Sequence, residues 1–124
     1  IIPFRDGHDR RMLRLTRGPF RYVRSADRYV EEVRRMTSLP VKQAVISPSA
    51  LSLMYPAEGI PEYPRESFIT DLIDAHELEV RRCLAKGAYK VQIDFTEGRL
   101  ALKIDPTGSL LASFIDLNNL ALSR

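Results

Sequence analysis

Val91-Gln92-Ile93-Asp94 is the stretch on which the reading of this chain turns. Tyr89, Val91, Ile93 and Phe95 alternate with Lys90, Gln92 and Asp94, the period of two that places successive side chains on opposite faces of a strand. Lys86-Gly87 ahead of it is a helix stop, and Thr96-Glu97-Gly98 behind it is a polar loop. A helical pattern lies on either side, so the order is helix, turn, strand, loop, helix, the grammar of a βα repeat. Ligands in such folds bind at the carboxyl ends of the strands, and Asp94 stands at that end. The plainer alternative is that Asp94 caps a loop or pairs with a nearby arginine.

Upstream, the spacing predicts a long helix from about 64 to 86. Ile69, Leu72, Ile73, His76, Val80, Cys83 and Leu84 form its apolar stripe, and Glu66, Asp71, Glu77, Glu79, Arg81 and Arg82 lie off it. Pro64 suits the first helical position and Gly87 the stop. Val41 to Ser47 predicts a second strand, apolar on both faces at Ala44-Val45-Ile46, as in a parallel strand covered by helices. Residues 48–63, with Pro48, Pro56, Gly59 and Pro61, read as a long loop, the kind of connection on which βα folds carry function. Before that, Ser25 or Asp27 could cap a helix whose inner residues are Tyr29, Val30, Val33 and Met36. Ser38-Leu39-Pro40 ends it. Gly18-Pro19 is a turn signal, and Phe20-Arg21-Tyr22-Val23 reads as a short strand. Downstream, Arg99 to Ile104 fits either a short helix or an extended turn. Asp105-Pro106-Thr107-Gly108 is a strong break, and Ser109 could cap a last helix. No internal repeat or low-complexity segment is present.

The 124 residues suffice for one domain with a core, and the 44% hydrophobic fraction is that of a globular protein. No run approaches the roughly 20 apolar residues of a spanning helix. Ile1-Ile2-Pro3-Phe4 is followed at once by charge, so a secretory signal is not expected. The single cysteine, Cys83, allows no internal disulfide and suits a reducing, cytoplasmic setting. The absence of an initiating Met suggests a processed or excised start. Net charge is +3, but unevenly spread: residues 1–35 hold ten arginines against five acids, so residues 36–124 carry −2. Residues 1–17 form a basic arm. Such an arm can meet phosphate-rich partners, yet there is no aromatic interleaving of the stacking kind, and a nucleic-acid partner is not expected.

His76 and Cys83 are the tempting metal pair. Seven residues on one helix separate them by roughly 10 Å along the axis, too far to share one zinc with bonds of about 2.0–2.3 Å. A stripe histidine and a buried thiol are the better account. His8 has no evident partner, and neither a glycine-rich phosphate loop nor a nucleophile elbow occurs. Ser47 and Asp94, both at strand carboxyl ends, could face one pocket, where a hydroxyl and a carboxylate would suit a ligand with an ammonium group. Alternatively, Ser47 merely begins the turn ahead of Pro48.

Val41-Lys42-Gln43-Ala44-Val45-Ile46-Ser47-Pro48-Ser49, the helix ending Cys83-Leu84-Ala85-Lys86-Gly87, and Val91-Gln92-Ile93-Asp94 resemble the catalytic domain of cobalamin-independent methionine synthase. The likeness is closer to the uroporphyrinogen-decarboxylase/methionine-synthase-like proteins of that superfamily. It covers residues 18–124 and implies an α/β fold, a partial TIM (β/α)8 barrel with about three parallel strands and flanking helices. It implies S-methyl transfer from methyltetrahydrofolate to a thiol such as homocysteine. Zinc would lower the thiol pKa in that reaction. By the same resemblance Asp94 would grip the amine of the amino-acid thiol, and Ser47 would border the substrate. The family reads Gln-Ile-Asp-Glu-Pro where this chain has Phe95-Thr96, leaving Glu97 as the candidate replacement carboxylate. The family's His-x-Cys zinc pair and later Cys lie beyond the matching region, so no residue here matches a zinc ligand. Residues 1–124 alone are therefore not expected to carry the transfer.

Barrel arithmetic agrees: about 250 residues for eight βα units leaves room here for at most four. Three open-edged strands would need the remainder of the barrel or a second chain. The alternative function is a non-catalytic remnant or half-barrel binding module of the same superfamily. A basic-arm nucleic-acid binder is the third and weakest reading.

Overall fold

A computed structural model describes residues 1–3 and 7–124. Phe4, Arg5 and Asp6, assigned above to the basic arm, lie outside the described residues. Within that arm, β1 (Ile2–Pro3) pairs antiparallel with β2 (Asp9–Arg10). The chain then forms α1 (Asp27–Met36), β3 (Lys42–Ile46), α2 (Pro48–Ser52), α3 (Arg65–Ala85), β4 (Lys90–Asp94), α4 (Gly98–Ile104) and α5 (Ser109–Leu122).

β3 and β4 are parallel and in register from Lys42 opposite Lys90 to Ile46 opposite Asp94. The pairing runs on at both ends. The Tyr89 amide donates to the Val41 carbonyl at 2.8 Å, and the Ser47 amide to the Asp94 carbonyl at 3.3 Å. The connection through α2 and α3 makes this a βαβ unit. The α/β character expected from sequence is therefore present, with two parallel strands among the described residues rather than three. Phe20–Val23 is not a strand. With no neighbour to pair with, its Phe20 amide donates to the Tyr63 hydroxyl at 2.9 Å. The Phe20 ring packs edge-on against Phe68, with centroids 5.5 Å apart, and Val23 is left 93% exposed.

The helices do not cover both faces of β3, as its apolar run had suggested. Val45, with Val91 and Ile93, packs on Val30 of α1 and on Val80 and Cys83 of α3. The opposite face is bare. Ala44 is exposed there and Ile46 is 57% exposed. Along that face Lys42 Nζ donates to Gln92 Oε1 at 2.8 Å, and Gln92 Nε2 donates to Asp94 Oδ1 at 2.7 Å. A second core gathers Phe68 and Leu72 of α3 with Ile60 and Tyr63, and Leu15, Phe20, Leu51 and Tyr55 pack around it.

The segment expected to be a loop over 48–63 begins with α2. Pro48 fills the first helical position and Ser47 Oγ accepts the Ala50 amide at 3.3 Å, the usual chemistry of a helix start. The rest of the segment is pinned by Tyr55, whose hydroxyl accepts from the Ile60 amide and donates to the Tyr63 carbonyl. The long helix α3 buries Leu72, Ile73, His76 and Cys83 as its stripe predicts, but Leu84 is exposed and Glu79 is buried. Glu79 is inside because it serves α1: neither Ser25 nor Asp27 caps that helix, and Glu79 Oε1 accepts the Ala26 amide at 2.9 Å. α1 buries only Val30, so Val33 and Met36, expected inside, are exposed. Residues 98–104 resolve as α4. α5 starts at Ser109 behind Gly108 (φ 85°), and Asp105 rather than Ser109 holds its first turn by accepting the Leu110 amide at 2.9 Å. Among the described residues no helix is long and apolar enough to cross a membrane.

Candidate functional site

The carboxyl ends of β3 and β4 bring Ser47, Asp94 and Glu97 into one neighbourhood, and the fold gives each a different task. Ser47 follows directly on β3, is fully buried and starts α2. Glu97 precedes α4 and is 3% exposed. Its Oε1 accepts from both the Ser47 and Ser49 hydroxyls. Asn118, on α5, grips Ser49 twice: its Nδ2 donates to Ser49 Oγ at 2.9 Å, and its Oδ1 accepts the Ser49 amide at 3.2 Å. The result is a buried knot of two hydroxyls, one carboxylate and one carboxamide that ties α2, α4 and α5 to the strand ends. Glu97 Oε2 has no hydrogen-bond partner among the described residues.

This knot is not a nucleophile assembly. Both hydroxyl protons are committed to one carboxylate oxygen, and neither serine is open to solvent. Activating a serine needs a base poised to take its proton next to an accessible reacting atom. Asp94 is the member of the three with a half-exposed carboxylate. It lies on the bare sheet face, with one oxygen accepting from Gln92. An ammonium group approaching that face would meet a negative oxygen already oriented by its neighbour.

His76 and Cys83 both point into the interior. Neither ring nitrogen of His76 has a hydrogen-bond partner among the described residues, and burial holds its pKa below the ordinary histidine value. The Cys83 thiol is pushed up to about 11, by burial first and then by Glu79 and Asp27. A thiol so placed is neutral at pH 7 and a poor nucleophile or ligand. No group of three His, Cys, Asp or Glu among the described residues could hold a metal ion. These residues do not fit the zinc that the resemblance implies.

Sequence reading singled out neither Ser49 nor Asn118. Ser49 carried a signal, a second hydroxyl within Ser47-Pro48-Ser49 at a strand end. Asn118 carried none, because only the fold brings it across to Ser49. In comparisons with known proteins, no family model, no curated protein and no solved structure matches this chain.

Proposed function

We propose that this chain supplies the amine-binding side of a ligand site in a (β/α) barrel. The whole-protein reaction would be S-methyl transfer from methyltetrahydrofolate to an amino-acid thiol such as homocysteine. The observation that carries the reading is Asp94: a carboxylate at the carboxyl end of a parallel strand, on the face left free of helices, oriented by Gln92. The sequence resemblance supplies the reaction. The chemistry of Asp94 supplies only the recognition of an ammonium group. In this reading Ser47 and Glu97 border the site by setting the strand-end turns, and the remainder of the barrel or a second chain provides the other strands.

A charge-assisted hydrogen bond contributes about 1.5–3 kcal/mol. Asp94→Asn in the protein that carries this chain should therefore weaken homocysteine binding by about ten- to a hundredfold, measured by calorimetry. Unchanged affinity would remove Asp94 from the role.

A second reading is a binding module of the same superfamily without catalysis. Its support is specific: the carboxylate of the loop that follows Asp94, Glu97, is consumed by two serine hydroxyls. The two readings part on one measurement. Labelled methionine formed from homocysteine and methyltetrahydrofolate supports the first. Homocysteine binding without turnover supports the second.

A further inference from the structure

The residues 20–26 cross the molecule as a strap between two clefts. One, of about 460 Å³, lies between the strap, β3 and α2. The other, of about 340 Å³, lies between the strap and α3. Both sizes suit a small ligand. Tyr22, Ser25 and Glu79 line both clefts.

Each of these polar groups is left incompletely used. The Tyr22 hydroxyl and Ser25 Oγ are buried and have no hydrogen-bond partner among the described residues. Glu79, 8% exposed, accepts the Ala26 amide through Oε1, and among the described residues no Lys or Arg pairs with it. The titratable groups coupled to it are an acid, a thiol and a phenol. Asp27 raises its pKa after burial does, and Glu79 in turn raises those of Cys83 and Tyr22. Capping α1 accounts for one oxygen of Glu79. It leaves two orphaned hydroxyls beside a buried carboxylate without a counter-charge, a costly arrangement unless something completes it.

Much of the rest of the larger cleft is apolar, with Phe20, Tyr29, Val45, Leu51 and Met54 in its wall and Gln43 as a further polar residue. We infer that this cleft is a binding site for a small apolar primary amine, its ammonium group seated among Glu79, Ser25 and Tyr22. An ammonium has three N–H donors and no acceptor, and the Tyr22 hydroxyl, Ser25 Oγ and the Glu79 carboxylate can each accept one. It also brings the positive charge that Glu79 lacks, and the apolar body fills the cleft. Arg21 and Arg24 also line the cleft. Both are exposed, so water and salt screen their repulsion more strongly than the buried attraction. The site is separate from Asp94 and does not depend on its role.

The test uses 2-phenylethylamine, with 2-phenylethanol as its neutral counterpart of nearly equal shape, titrated calorimetrically into the whole protein. The amine should bind at least tenfold more tightly than the alcohol. Glu79→Gln keeps an acceptor for the Ala26 amide but removes the charge. It should erase that preference. If Glu79→Gln fails to fold, Tyr22→Phe with Ser25→Ala should weaken amine binding about tenfold and alcohol binding by less. No preference for the amine in the wild-type protein overturns the proposal. So does an undiminished preference in a folded Glu79→Gln or in the paired variant.

Discussion

Replacing Glu97 by alanine tests whether the buried knot holds the strand ends together. The side chain accepts from two hydroxyls, Ser47 and Ser49, through one oxygen. Each such bond to a charged group contributes about 1.5–3 kcal/mol, so the two together contribute about 3–6. Two effects offset the loss. Glu97 Oε2 is buried without a partner, and removing an unsatisfied polar atom returns about 1–3 kcal/mol. The serines also keep other contacts: Ser49 keeps Asn118, and Ser47 Oγ keeps the Ala50 amide. The expected net cost of Glu97→Ala is about 2–4 kcal/mol, a large part of the 5–15 kcal/mol of an ordinary domain. Glu97→Gln retains an acceptor for both hydroxyls and should cost about half as much, since neutral bonds are roughly half as strong. Urea unfolding followed by circular dichroism, with the slope unchanged, measures both variants. A double-mutant cycle with Ser49→Ala should show a coupling of about 1–2 kcal/mol, because the second deletion no longer orphans a hydroxyl. A Glu97→Ala cost below about 1 kcal/mol, or additive deletions, would refute the knot as a structural tie.

Three further outcomes follow from buried groups. His76 is held neutral by burial, so the folded ring titrates below the unfolded value of about 6.5. Its contribution is complete above pH 6.5 and is lost as pH falls towards the folded pKa, by at most about 1.4 kcal/mol per pH unit. Glu79 is shifted upward and acts in the opposite sense, losing its contribution as pH rises through its folded pKa. The difference between wild type and His76→Met isolates the histidine, and a pH-independent difference between pH 5 and 7 would count against it. Cys83, fully buried with its pKa at about 11, should react with Ellman's reagent at pH 8 only at the rate of unfolding. Immediate labelling of the native protein would contradict its burial. A Cβ at Gly18 would fall 2.4 Å from the Tyr63 ring, which cannot easily yield because its hydroxyl holds both the Phe20 amide and Asp71. Gly18→Ala should therefore cost about 1–3 kcal/mol in the same urea assay, and a neutral result would mean that the ring moves aside.

What was legible in the sequence was what depends on neighbours along the chain. β4 and α3 announce themselves by period and β3 by its apolar run, and Gly87 ends α3 with φ 94° because its backbone is left-handed there. α2 was not read from the sequence: Ser47-Pro48 reads as a turn at the head of a 48–63 loop, although the same pair is a helix start. What was not legible depends on partners brought together by the fold. Phe20-Arg21-Tyr22-Val23 has the alternation of a strand, yet a strand needs a neighbour, and the segment's hydrogen bond goes to Tyr63 instead. Glu79 lies off the apolar stripe by its side chain, and only the approach of Ala26, 53 residues away, gives it a reason to be inside. Asn118 meets Ser49 across 69 residues.

The same distinction bears on which acid is free to meet a ligand at the strand ends. Glu97, in the loop after β4, is spent inside the protein and binds three elements into one corner. Asp94 lies three residues earlier on the bare face, and its carboxylate accepts from a neighbouring side chain on its own strand. If the knot holds the corner rigid, Asp94 is presented at a fixed angle from a strand end that does not need it for stability. Glu97→Ala should therefore weaken ligand binding by disturbing Asp94 and lower stability at the same time. Asp94→Asn should weaken binding with little change in stability.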